Sequence, residues 1–398
     1  MPAAINIFQR SSDTEFMKSR SDLPENSFSR RHFLLTTSLA TAALGFNPLT
    51  GAGAVAKENP AATDAAKKLC LWYDQPAKTW MTEALPIGNG PMGAMLFGGT
   101  EVERIQFNEI SLWTGDRMAV EGRVLGETQA EEDENLGAYQ AFGDIFIQLG
   151  HDFAKVTDYR QELDIDRAVH QVTYEYNGVR YQRTAFGSHP DGVIVIHLTA
   201  NKPAAYTGRI QLADMHQGRI TAERDKLSSV GKLKNGFAYE AQLVVLNKKG
   251  AVTIKQDEAG VKNQWDVVVP ATSMAFDHCD SVTLILSAGT NFLQDHTKQW
   301  LGVHPHAAVT KRVDSAAKRG VKDLQARHVK DYQSLFRRFL LDVGSTAPDL
   351  LAKNTLARLE AYNNNQTVDP DLEALFCQFG QFHGFVIYLC LGFLCWLT

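Results

Sequence analysis

The stretch VTYEYNGVRYQRTAF, residues 172–186, constrains the fold of this chain more than any other. Val172, Tyr174 and Tyr176 alternate with polar residues, and Val179, Tyr181 and Arg183 resume the alternation after Asn177-Gly178. A period of two sends successive side chains to opposite faces of a strand. Asn-Gly supplies the two positive-φ positions of a type I′ turn, whose twist suits a tight hairpin. This stretch therefore reads as a β-hairpin. Similar runs recur as DGVIVIHLTA (191–200), GFAYEAQLVVL (236–246), AVTIKQ (251–256) and SVTLILSAGTNF (281–292). Each is rich in β-branched or aromatic residues and bounded by Gly, Asn, Lys or Asp. No helices separate them, so residues 71–292 are expected to form a large antiparallel sandwich rather than a parallel α/β sheet.

After Phe292 the pattern changes. Val309, Val313, Ala317, Val321, Leu324, His328, Leu335 and Phe336 recur near a helical period, with Ala, Lys and Arg on the other faces. An amphipathic helix broken or kinked at Gly320 follows from this. Beyond it the chain reads as a loop, a short helix, an Asn-rich linker and a further helix capped near Asp369 or Asp371.

The segment EALPIGNGPMGAMLFGG, residues 83–99, carries glycines at 88, 90, 93, 98 and 99. A phosphate-binding loop needs a preceding buried strand and a helix opening directly after the glycines. Here Pro86 precedes the first glycine, no helical period follows, and no Lys-Ser or Lys-Thr pair closes the loop. The glycines belong to turns and close contacts instead.

At the N-terminus, Arg30 and Arg31 stand directly before an apolar run from Phe33 to Phe46, followed by Pro48 and Ala54–Ala56. A paired arginine, an apolar stretch and small residues at a cleavage site read as a twin-arginine export signal. Residues 1–56 are accordingly expected to be a disordered leader, recognised by the twin-arginine export machinery and directing the protein to a bacterial periplasm or beyond. Met17 is an equally good start. The formal net charge of −5 argues against nucleic acid as a partner. The five cysteines have neither metal-ligand spacing nor a dense disulfide framework.

Candidate chemistry is sparse. Glu101, Glu103 and Glu109 flank RIQF, with Trp113 close by, and paired carboxyls beside an indole are what a glycosidase uses. On spacing alone the simpler assignment is a solvated strand end for Glu101 and Glu103 and sandwich core for Trp113. Asp164 and Asp166 read as surface or turn residues, and His304 and His306 as a plain loop, rather than as metal ligands. No metal or cofactor is expected.

Residues 71–116, LWYDQPAKTWMTEALPIGNGPMGAMLFGGTEVERIQFNEISLWTGD, resemble the opening of glycoside hydrolase family 95, the α-L-fucosidase family. The Trp-Tyr start, the Ala-Leu-Pro-Ile-Gly-Asn-Gly turn, the Gly-Ala-Met strand and the Asn-Glu-x-x-Leu-Trp-x-Gly run carry the resemblance. It continues to about Phe376. The resemblance implies a mainly β fold: a large antiparallel β-supersandwich of the galactose-mutarotase-like kind, a helical linker and an (α/α)6 barrel. It implies inverting hydrolysis of terminal α-L-fucosyl linkages, α-L-galactosyl in some relatives, on fucosylated glycans. A glutamic acid, with asparagines aided by an aspartate, does this work from the barrel, so no catalytic residue is carried onto this chain. Asn89, Asn108, Glu109 and Trp113 lie in the signature segment and are candidates for sugar contact or a domain interface. The alternative function is a non-catalytic carbohydrate-binding or scaffold module.

The expected organisation is a leader at 1–56, the sandwich domain at 67–300, a helical linker and barrel start at 301–376, and an aberrant apolar tail at 377–398. That tail, CQFGQFHGFVIYLCLGFLCWLT, has no charged residue and departs from the family pattern. A membrane anchor needs about 20 such residues with a basic flank, and a buried barrel helix would carry polar positions. The expectation is therefore a frameshift or premature stop and a chain inactive by itself, with no membrane contact outside the tail.

Overall fold

A computed structural model describes residues 69–115, 137–256, 262–265, 267–268, 270–364 and 367–387. The export-signal residues, Arg30 and Arg31 among them, and the end of the apolar tail lie outside the described residues.

The hairpin forms as the sequence requires. Strands β7 (Val169–Tyr176) and β8 (Val179–Ser188) pair antiparallel with Tyr176 opposite Val179. Asn177 and Gly178 take φ values of 50° and 70°, the left-handed pair a type I′ turn demands. Around it a nine-stranded sheet is built in the spatial order β1 (Cys70–Tyr73), β6 (Thr157–Asp164), β7, β8, β9 (Val193–Ala200), β16 (Ser281–Thr290), β13 (Ala238–Lys248), β12 (Lys226–Lys232) and β11 (Arg219–Glu223). A seven-stranded sheet faces it, ordered β14 (Ala251–Gln256), β15 (Thr272–Cys279), β10 (Tyr206–Asp214), β5 (Gly143–Gln148), β4 (Val102–Glu109), β3 (Met92–Leu96) and β2 (Leu85–Gly88). Among the described residues every strand pairing is antiparallel. The chain is mainly β, two large sheets packed face to face.

The main core fills the space between the sheets, with Ile105, Phe107, Ile145, Ile196 and Leu284 all sealed from solvent. The glycines of residues 83–99 serve this packing. A Cβ added at Gly187 of β8 would stand 2.4 Å from the carbonyl of Gly88 in β2, so the sheets touch backbone to backbone there. One charged pair crosses the core. Arg183 of β8 meets Glu103 of β4, both fully buried, and Glu103 also accepts from the backbone N–H groups of Phe97 and Gly98.

Helices α1 (His306–Arg319) and α2 (Val321–Phe336) break at Gly320, whose φ of 80° and ψ of 153° are open to glycine alone. They cover the outer face of the nine-stranded sheet. Val313, Ala316 and Leu324 form a second core with Val169, Phe186, Val193, Val195, Val244 and Ile285. Strands β9 and β13 are thus buried on both faces, which is why β9 and the Leu243–Leu246 stretch of β13 read as apolar runs. Ala316 and Tyr332 turn inward, where the sequence pattern favoured Ala317 and Leu335.

Helices α3 (Pro348–Leu351), α4 (Thr355–Asn363) and α5 (Pro370–Ile387) follow. Asp369 caps α5 by accepting from Leu372 N at 2.9 Å and pairs with buried Arg358. Within α5, Gln378 and Phe382 are buried, the Phe382 ring meeting Tyr332 edge-on with centroids 6.3 Å apart. Among the described residues no helix is long and apolar enough to cross a membrane.

Candidate functional site

Strand β4 organises the site. Its alternation turns Glu103, Ile105, Phe107 and Glu109 toward the opposing sheet and Asn108 away from it. Pairing with β3 sets Met92 opposite Glu109, and Ile110 N bonds back to Pro91 O at 2.9 Å. The turn holding Asn89 and the end of β4 therefore share one rim of the sandwich.

Asn89 is buried there and its amide is fully used. Its Oδ1 accepts from Met92 N at 3.0 Å, while Nδ2 donates to Ser188 O at 3.4 Å and Val193 O at 3.2 Å. It clips the β2–β3 turn to the β8–β9 turn of the other sheet. Asn108, on the outer face, accepts from Phe142 N at 3.0 Å. Both asparagines hold loops.

Glu109 differs. Burial pushes its carboxyl up to about 7, against the pull of its bonds from Ser111 and the charge of Arg312. Oε2 accepts from Ser111 N at 3.0 Å and Ser111 Oγ at 2.6 Å, and that hydroxyl lies 2.5 Å from Thr290 Oγ1 in β16. Such a carboxyl is a proton donor near neutral pH. A glycosidase, however, needs a second carboxyl across the scissile bond. No neighbouring carboxylate is among the causes of the Glu109 shift.

Trp113 is 38% exposed, which corrects its assignment to the core. Its Nε1 donates to Ile110 O at 2.9 Å, its carbonyl accepts from Asn235 Nδ2 at 2.7 Å, and its ring packs on Tyr139. The structure brings Asn89, Glu109 and Trp113 to one rim and leaves Asn108 on the far face of its strand.

Three further assignments are corrected. Glu103 is no solvated strand end, because β4 alternation points it into the core where Arg183 compensates its charge. Asp166 lies in the turn after β6, as one of its two readings had it, but is buried rather than at the surface, held by Gln333 of α2 and by Arg337 just beyond it with N···O distances of 2.6 to 2.9 Å. His306 opens α1 rather than lying in a loop, and its Nδ1 stands 2.9 Å from buried Glu240, with His304 Nδ1 at 3.7 Å. Among the described residues no group of three or more His, Cys, Asp or Glu side chains is arranged to hold a metal ion.

The glycosyl hydrolase family 65 N-terminal domain matches residues 71–123 and 119–295, and the glycosyl hydrolase family 95 catalytic domain matches residues 320–384. Alpha-L-fucosidase 2 of Arabidopsis thaliana is 29% identical over 80% of this chain and 42% of its own length. The probable alpha-fucosidase A of Aspergillus niger is 26% identical over 78% of this chain and 42% of its own. The chain thus spans about two fifths of the length of these curated relatives. Among solved structures, a putative kojibiose phosphorylase from human microbiome superposes with a TM-score of 0.44 at 12% identity, over 68% of this chain and 38% of that one. With more than half of its 398 residues in the first of these matches, the chain belongs to the family described by the glycosyl hydrolase family 65 N-terminal domain, and a stretch similar to the family 95 catalytic domain follows it.

Proposed function

We propose that this chain is the sandwich and the opening of the catalytic domain of an inverting α-L-fucoside hydrolase acting on fucosylated glycans. The observation that carries this reading is the order of the two domain matches, supported by two relatives named as fucosidases. In this reading the sandwich is a support: Asn89 and Glu109 shape the rim, and the acid and the water-activating groups come from the family 95 domain. Purified residues 57–398 are expected to release no L-fucose from fucosyllactose or a nitrophenyl α-L-fucoside. Fusing them to the remaining family 95 domain of a relative restores release. Turnover by the chain alone, or an inert fusion that is folded, overturns the assignment.

Export belongs to the same proposal. The twin-arginine reading of residues 30–56 predicts that changing Arg30 and Arg31 together to Lys stops a folded reporter fused behind residue 56 from reaching the periplasm. Unchanged export sinks it. A second reading, a non-catalytic carbohydrate-binding module, is favoured by the exposed aromatic rings around Trp113.

A further inference from the structure

The rim that carries Trp113 holds more aromatic surface than its signature segment supplies. Trp113 packs on Tyr139 with ring centroids 5.6 Å apart. Asn235 donates to the Trp113 carbonyl and accepts from Phe237 N at 3.2 Å. Phe237 meets Phe292 edge-on at 6.1 Å, and the Phe292 and Trp300 rings lie 6.3 Å apart with planes only 5° from parallel. Two groups of rings, Trp113 with Tyr139 and Phe237 with Phe292 and Trp300, are therefore tied together through Asn235 at the ends of three separate chain segments. Trp113, Phe292 and Trp300 are 38, 45 and 37% exposed.

The backbone is bent to present them. Gln299 and Trp300 both adopt left-handed φ, 56° and 62°, which L residues take against a steric penalty. Leu293 N bonds to Trp300 O at 2.8 Å, Trp300 N to Asp295 O at 3.0 Å, and the Asp295 side chain caps the intervening turn through Thr297 N.

We propose that Trp113, Phe292 and Trp300 form a carbohydrate-stacking platform on the sandwich itself, taking a neutral pyranose. The C–H face of a sugar ring packs on an aromatic face, and its hydroxyls are met by amides. Gln294 and Gln299 stand exposed beside the rings. Asp295 and Lys298 beside the rings pair with each other at 3.5 Å, which suits an uncharged ligand. A stacking surface for nucleic acid would be rimmed by unpaired cations. The platform is separate from hydrolysis and rests on the fucosidase reading only for the choice of sugar.

The test titrates the chain with fucosyllactose and with lactose, following tryptophan fluorescence and saturation-transfer NMR, and assays the same samples for free L-fucose. A saturable response at millimolar sugar is expected. Trp300→Gly should weaken it about tenfold, and Trp113→Ala similarly. Glycine accepts the left-handed backbone, so Trp300→Gly removes the ring without straining the turn; Trp300→Phe should recover most of the binding. Trp72→Phe, at the β1 edge, should change nothing. No saturable response to either sugar, or a response untouched by Trp300→Gly and Trp113→Ala, overturns the platform. So does a dimer that these substitutions dissolve while sugar has no effect, which assigns the rings to a protein interface. Binding without L-fucose release supports the platform whatever becomes of the hydrolase reading.

Discussion

Arg183, in the middle of the nine-stranded sheet, donates to the carboxylate of Glu103 in the opposing sheet, and neither side chain is more than 2% exposed. Two Arg183 nitrogens, Nε and Nη1, have no partner among the described residues. A charge sealed this way depends on its counter-ion. Removing one member leaves the other buried and uncompensated, at a cost of about 3–5 kcal/mol. Arg183→Met should therefore lower stability to urea by about that much. Pairing it with Glu103→Leu should recover a large part of the loss. A single substitution costing under about 1 kcal/mol would show that the pair does not bear on stability.

Glu109 should give the sandwich a pH signature. Its carboxyl ionises near 4.5 in an unfolded chain and near 7 in the fold, because burial disfavours the charge. The fold therefore holds the proton more tightly than the unfolded chain does. The stability from this group is complete below pH 4.5 and is lost as pH rises to about 7, about 3 kcal/mol in all. Glu109→Gln carries no such proton, so its stability relative to wild type should climb by that amount across the window. A constant difference between the two proteins at every pH from 4 to about 8 would refute the assignment.

The contact between Gly88 and Gly187 leaves no room for a methyl group. Gly187→Ala would set its Cβ 2.4 Å from the Gly88 carbonyl, and backbone cannot move aside as a flexible side chain can. The sheets would have to separate locally, at a cost of about 3 kcal/mol, the upper end for overpacking. Thermal unfolding of Gly187→Ala measures this. An unchanged midpoint would place the sheets further apart than described.

Phe382 tests whether the chain beyond Phe376 is part of the fold. It is fully buried, stacked on Phe379 and edge-on to Tyr332. Phe382→Ala should cost about 3–5 kcal/mol. A loosely attached segment would lose nothing. The family 95 match reaches residue 384, which agrees with ordered packing there.

Legibility in the sequence follows locality. Asn177-Gly178 sits between its own strands, so the hairpin and its register could be read from fifteen residues. Gly320 likewise announces the break between α1 and α2 by itself. The partner of Glu103 lies 80 residues away in the other sheet, and no short window contains both. One signal was available even so: in VERIQFNE, Glu103 and Glu109 share the strand face of Ile105 and Phe107, so burial of that face implies burial of both carboxyls. The aromatic rim was less readable still. Trp113, Phe237, Phe292 and Trp300 come from three connections whose meeting depends on how the strands are ordered across both sheets. A Trp close to a strand end looks alike in sequence whether it faces in or out.

The two helices lying across the outer face of the nine-stranded sheet bear on how this domain can be inherited. Val193, Val195, Val244 and Ile285 point at α1 and α2, not at the other sheet. A gene fragment ending at residue 300 would leave those side chains wet and prone to associate. A transfer of the sandwich between genes keeps that face covered when it carries residues 306–336 along, so a catalytic domain spliced behind it would start from a helix already packed on the β layers.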